Sequence, residues 1–128
     1  MPVQLNHTIV HAKDRDASAV FLSEMLGVAA PVPFGPFLVV DLDNGVSLDF
    51  MQHDGDTGGQ HYAFLVSEDE FDEIFGRIQE RGLDYFADPH ANEPGEINHH
   101  DGGRGVYWAD PSGHWLEIIT RPYGSGTP

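Results

Sequence analysis

Residues 4–11 alternate, with Leu5, His7, Ile9 and His11 on one side and Asn6, Thr8 and Val10 on the other, as in a half-buried strand. Val20, Phe21, Leu22, Met25 and Leu26 then recur at three-and-four spacing, which predicts a helix capped by Asp14 or Asp16 and closed by Gly27. Pro31, Pro33, Gly35 and Pro36 break the next stretch. Beyond them, residues 37–42 and 45–51 predict a hairpin turned at Asp43, Asn44 and Gly45. After a turn-rich linker over 53–59 the order begins again. Residues 60–66 read as a strand, and Ser67 with Glu70 as a capping box. Phe71, Ile74, Phe75 and Ile78 form the apolar face of a second helix that ends at Gly82. Residues 83–87 predict a short strand and 88–103 a long polar loop at or over a site. A last hairpin, 106–109 with 115–120, turns at Asp110–Gly113. Residues 122–128 read as a loose tail.

The second half repeats the first. His7 and His61 lie 54 positions apart, as do Phe21 and Phe75, while the helix-closing Gly27 and Gly82 lie 55 apart. Each half also ends in a strand with a carboxylate, Asp49 in one and Glu117 in the other. The offset from histidine to carboxylate is 42 residues in the first half and 56 in the second. The loop over 88–103 accounts for most of that difference, and a loop insertion leaves strand order untouched. At 128 residues the chain suits one domain, with module one over about 4–53 and module two over about 60–121. Halves of this size are marginal alone, so they are expected to share a core or to swap between chains.

Charge narrows the function classes. With 21 Asp plus Glu against 6 Lys plus Arg, the formal charge is −15, and Lys13 is the single lysine. Such a chain lacks the positive stripe that phosphate backbones require, so nucleic acid is excluded as a partner. An acidic surface keeps the protein soluble and can draw in a cationic small ligand. There is no apolar run long enough for a membrane span and no basic, apolar leader, so a cytoplasmic location is expected. With no cysteine, any metal would be held by nitrogen and oxygen.

On pleated strands His7, Asp49, His61 and Glu117 can each point to one face, giving two imidazoles and two carboxylates. That set suits Fe(II), Mn(II), Co(II), Ni(II) or Zn(II) better than calcium or magnesium. Without Asp49 it becomes two histidines and one carboxylate with open positions for substrate and oxygen. His99 and His100, in the loop ahead of the strand bearing Tyr107, are candidate acids or bases near neutral pH. His11, His53, His90 and His114 are expected to be surface or hydrogen-bonded residues.

His7 in a first strand, the run His61-Tyr62-Ala63-Phe64-Leu65-Val66, and above all residues 105–117, with Asp110-Pro111-Ser112-Gly113-His114 and Glu117, resemble the vicinal oxygen chelate superfamily. That superfamily includes glyoxalase I, bleomycin resistance proteins, fosfomycin resistance enzymes and type I extradiol dioxygenases. The resemblance covers residues 4–121. It implies an α+β fold of two βαβββ modules forming a cupped mixed sheet with helices on the outer face. It also implies a divalent metal at His7, His61 and Glu117, and pairing as a homodimer. Asp49 falls where glyoxalase I enzymes carry a further glutamate, and Tyr107, ten residues before Glu117, falls where extradiol dioxygenases carry a tyrosine. His99 or His100 lies near the place of their histidine. The function implied is a metal-dependent enzyme of glyoxalase or dioxygenase type acting on a small oxygen-chelating organic substrate. Three ligands would favour Fe(II) or Mn(II) and oxygen chemistry; four would favour Ni(II), Co(II) or Zn(II) and lyase or isomerase chemistry. The alternative is a bleomycin-resistance-like protein that sequesters a cationic antibiotic, with Phe34, Phe37, Tyr107 and Trp108 in its cleft.

Overall fold

The computed structural model describes residues 3–126, and the last two residues of the expected tail lie outside that range. The chain divides into two compact units, Met1–Gly58 and Gly59–Pro128. The break falls inside the linker read from the sequence.

The first unit runs β1 (His7–Ala12), α1 (Arg15–Leu26), β2 (Val32–Phe34), β3 (Phe37–Asp41) and β4 (Ser47–Gln52). Its sheet has the order β1-β4-β3-β2, with β1 parallel to β4 and the remaining pairs antiparallel. Asp14 caps α1 by accepting the Ala17 N–H at 3.0 Å, and Gly27 closes the helix at φ 71°, a conformation glycine adopts without steric cost. The buried face of α1 is Ser18, Ala19, Leu22, Ser23 and Met25, whereas Val20 is 40% exposed and Phe21 and Leu26 are half-buried. The apolar stripe expected from the sequence is thus rotated. Leu22 and Met25 of that stripe stay buried, joined by the small Ser18, Ala19 and Ser23, and Val20 is left outside as α1 packs on β1, β3 and β4. In β1, Val10 and Ala12 turn inward and the His7, Ile9, His11 face turns out. β2 was hidden from pattern reading by Pro33, which an edge strand tolerates because no ladder hydrogen bond is lost to solvent.

The second unit runs β5 (His61–Leu65), α2 (Glu68–Glu80), a 3-10 turn over His100–Gly102, β6 (Gly105–Ala109) and β7 (Trp115–Ile119). Its sheet order is β5-β7-β6, with β5 parallel and β6 antiparallel to β7. The capping box is present: Ser67 Oγ accepts the Glu70 N–H at 3.1 Å and Glu70 Oε1 accepts the Ser67 N–H at 2.7 Å. Phe71, Ile74 and Ile78 are buried, and so are Val106, Trp108, Leu116 and Ile118 of the sheet. The strand expected over 83–87 contracts to a bridge in which Phe86 exchanges both backbone hydrogen bonds with Tyr107 at 2.9 Å. The long loop is tied down. Asp88 accepts the N–H groups of His90, Asn92 and Glu93, and the Trp115 indole donates to the Pro89 carbonyl at 2.6 Å. Mixed sheets with one helix per unit make an α+β fold built from repeated βαβ-type modules. Among the described residues no helix is long and apolar enough to cross a membrane.

Candidate metal-binding half-sites

Parallel pairing of β5 with β7 sets Ala63 opposite Glu117 and His61 opposite Trp115, so His61 and Glu117 emerge two residues apart on one face. The turn before β7 holds that register. Asp110 Oδ1 accepts the N–H groups of Ser112 at 2.9 Å and His114 at 2.8 Å. His114, only 1% exposed, accepts the Gln60 N–H on Nδ1 at 2.9 Å. The Asp-Pro-Ser-Gly-His motif therefore acts as a clamp, fastening the start of β7 to the residue that precedes His61. His114 is a hydrogen-bonded residue, as expected for it.

His61 Nε2 lies 2.8 Å from Glu117 Oε1. Their side chains are 44% and 2% exposed, so a buried carboxylate meets an imidazole at the surface. Tyr123 donates its hydroxyl to Glu117 Oε2 and lies 3.2 Å from the Tyr107 hydroxyl. Tyr107, opposite Glu117 on β6, sets its ring edge against His61 at 5.7 Å. Burial, with the Glu117 carboxylate adding to it and the hydrogen bond from Tyr123 opposing it, leaves the Tyr107 phenol above its ordinary pKa. Tyr123 is pushed higher still, first by desolvation and then by its hydrogen bond to the Glu117 carboxylate. Both phenols are hydrogen-bond donors at neutral pH. His100 brings its ring to 6.1 Å from Tyr123, while the exposed His99 makes no hydrogen bond or ring contact with Tyr107 or Glu117.

The first unit repeats the register. Ile9 faces Asp49 and His7 faces Ser47, placing histidine and carboxylate on one face as in the second unit. Here they do not touch each other: His7 Nδ1 is 2.7 Å from Asn6 Oδ1, and Asp49 Oδ1 accepts the Ser47 hydroxyl at 2.8 Å. Both line an open cleft of about 480 Å³ whose walls include Phe34, Phe37 and Asp41. Phe34 is 72% exposed. His11 and His53 stack on each other at 4.7 Å, apart from this cleft's lining.

The donor chemistry fits a borderline divalent ion, since imidazole nitrogen and carboxylate oxygen suit such an ion and the chain has no thiolate to offer. The 2.8 Å separation of His61 Nε2 from Glu117 Oε1 is close to the roughly 3.0 Å edge between neighbouring ligands of an octahedral ion with bonds of about 2.1 Å. Among the described residues no three histidine, aspartate or glutamate side chains gather in metal-holding geometry. The residue missed by pattern reading is Tyr123. It sits in the tail, where no periodicity marks it.

Similarity to known proteins follows the same lines. The oxidase ChaP-H1 is 71% identical over 96% of this chain and 99% of its own, with a TM-score of 0.94. The oxidase ChaP-H2 is 62% identical over 99% of this chain and all of its own, with a TM-score of 0.96. The fosfomycin resistance protein FosX from Mesorhizobium loti shares the fold at 21% identity, covering 95% of each chain with a TM-score of 0.70. The chain belongs to the vicinal oxygen chelate superfamily. No protein-family model matches it. Of the positions that the superfamily resemblance assigns to ligands, His61 and Glu117 are in contact and His7 lines the cleft of the first unit.

Proposed function

We propose that this chain is a divalent-metal-dependent oxidase acting on a small organic molecule that presents adjacent oxygen atoms. The observation that carries the reading is the contact of His61 with the buried Glu117, a charged group kept out of water on the face where the superfamily's ligands are expected. Two highly identical relatives named as oxidases support the oxidative branch over lyase or isomerase chemistry. In the second unit the donors are His61 and Glu117, and in the first His7 lines the cleft with Asp49 bordering it. An Fe(II) or Mn(II) ion held by His61 and Glu117 would polarise substrate oxygens as a Lewis acid and open a route to reaction with dioxygen.

The chain's own groups do the rest. Phe34 and Phe37 offer apolar walls to a flat substrate, while Asp41 and Asp49 make the same cleft acidic. Tyr107, protonated at neutral pH, presents a hydroxyl that can donate a hydrogen bond to an oxyanion forming beside Glu117. His100, beside Tyr123, is better placed than His99 to relay a proton. A formal charge of −15 keeps phosphate backbones away, so the partner is a small molecule.

Elemental analysis of protein purified anaerobically without chelator tests the reading, followed by oxygen uptake with catechol-like substrates. The expected result is stoichiometric iron or manganese that is lost in His61→Ala. Wild-type protein that takes up no metal even on reconstitution would overturn it and favour sequestration of a cationic ligand instead.

A further inference from the structure

The segment after the last strand is fastened over the second unit rather than trailing from it. Asp101 Oδ2 accepts the Gly124 N–H at 3.1 Å and Asp101 Oδ1 accepts the Gly126 N–H at 3.2 Å. Asp101 adopts φ 57°, a left-handed conformation costly for a residue with a side chain, and both strap hydrogen bonds fall on its carboxylate. Gly126 packs so tightly that a Cβ there would fall 2.2 Å from Asp101 Cα, so only glycine fits. Between the last strand and this latch stands Tyr123, whose hydroxyl donates to Glu117 Oε2.

Glu117 is 1% exposed and its two oxygens are engaged on opposite terms. Oε1 faces His61, which competes for it only as a proton donor; Oε2 faces a phenol held in place by the strap. A carboxylate that ligates through one oxygen keeps its orientation when the other is hydrogen-bonded, and such outer partners tune metal affinity strongly. Resting on the metal reading above, we propose that Tyr123 is a positioning residue that fixes Glu117 for ligation through Oε1 alone. Its strap, latched to Asp101, is thereby part of the site.

Calorimetric titration of Co(II) into metal-free protein, together with the visible spectrum of the Co(II) form, tests this. Tyr123→Phe is expected to weaken Co(II) binding by about tenfold or more and to alter the visible bands, with an unchanged melting temperature. Asp101→Gly, which relieves the strained backbone and removes the latch without touching Glu117, is expected to weaken binding in the same way. The double variant is expected to lose no more than Tyr123→Phe alone, because both act through one contact. Wild-type affinity and spectrum in Tyr123→Phe, alongside loss of binding in Glu117→Ala, would overturn the role of Tyr123 and leave the metal reading standing. Tighter binding in Tyr123→Phe would overturn it too, since the phenol would then be competing with the ion. No Co(II) binding by the wild type would overturn both.

Discussion

The two units carry a histidine and a carboxylate in the same strand register, yet only the second joins them. His61 meets Glu117 at 2.8 Å, while His7 turns to Asn6 and Asp49 to Ser47. Side-chain length explains part of the difference, because aspartate is one methylene shorter than glutamate. Support explains the rest. The second unit sets Tyr123 and Tyr107 beside its carboxylate and ties down the strand that carries it with the Asp110–His114 clamp, whereas Asp49, also buried, has a serine beside it and lines an open cleft. Duplication of a scaffold copies register faithfully, but preorganisation depends on neighbours that the repeat does not copy.

The largest effect should come from breaking the joined pair. Glu117→Ala is expected to weaken divalent-metal binding by more than about a hundredfold, beyond the range of outer-sphere changes, as read by equilibrium dialysis. Retained affinity would mean that the second unit's pair is structural. Next, His114→Ala removes the clamp and leaves the part-buried Gln60 N–H without its acceptor, at a cost of about 1 kcal/mol. Hydrogen exchange should then rise in β5 and β7 while β1 and β4 keep their protection; equal loss in both units would show that the motif does not act locally. Asp49→Ala sharpens the contrast from the other side. A tenfold or smaller loss of metal affinity, about that of an outer-sphere group, is expected for this carboxylate, which does not touch its histidine. A loss as large as that of Glu117→Ala would instead make the halves equivalent ligands.

All four tyrosines lie in the second unit, so alkaline titration followed by ultraviolet absorbance reports on that unit alone. Tyr62, Tyr107 and Tyr123 are all held above the ordinary phenol value of 10.0, chiefly by burial. Their neutral forms are favoured by folding, so this contribution to stability is complete below the unfolded value and is lost as pH rises through the folded ones. Most of the tyrosinate signal should therefore appear late and together with unfolding. Ionisation of Tyr62, Tyr107 and Tyr123 near the ordinary value in the folded protein would contradict the desolvation of their hydroxyls. The smallest effect concerns the helix caps, where α2 has a reciprocal box and α1 a single aspartate. Hydrogen bonds from the Ser67 backbone and then its side chain hold the Glu70 carboxyl below the ordinary 4.5. The stability it lends is present above that value and lost as pH falls through the depressed folded one. Glu70→Gln should flatten the acid limb of the melting curve slightly, and an unchanged limb would show the box to be idle.

Much of the fold was legible because its signals are local. The capping box at Ser67 and Glu70, the hairpin at Asp43–Gly45 and the turn at Asp110–Gly113 each depend on residues within a few positions of one another. Leu22 and Met25 of the α1 stripe are buried as expected, but its edge is shifted because Ser18 and Ala19 on the buried face are small and carry little hydrophobic signal. β2 was missed since prolines argue against a strand until an edge position is known. In the site, His61 and Glu117 stood out through the repeat and the motif around them. Tyr123 did not, because its role depends on a latch to Asp101, 22 positions earlier, across a turn with no periodic pattern.

By itself the sequence determined the order of elements, the duplicated histidine and carboxylate, and donors restricted to nitrogen and oxygen. These follow from periodicity, turn chemistry and composition, which act over short stretches of chain. The tertiary structure decided that His61 and Glu117 touch, that His114 serves as a clamp, and that the tail delivers Tyr123 to a buried carboxylate. Those outcomes depend on strand register and loop closure, where groups far apart in the chain meet only after the sheet has formed.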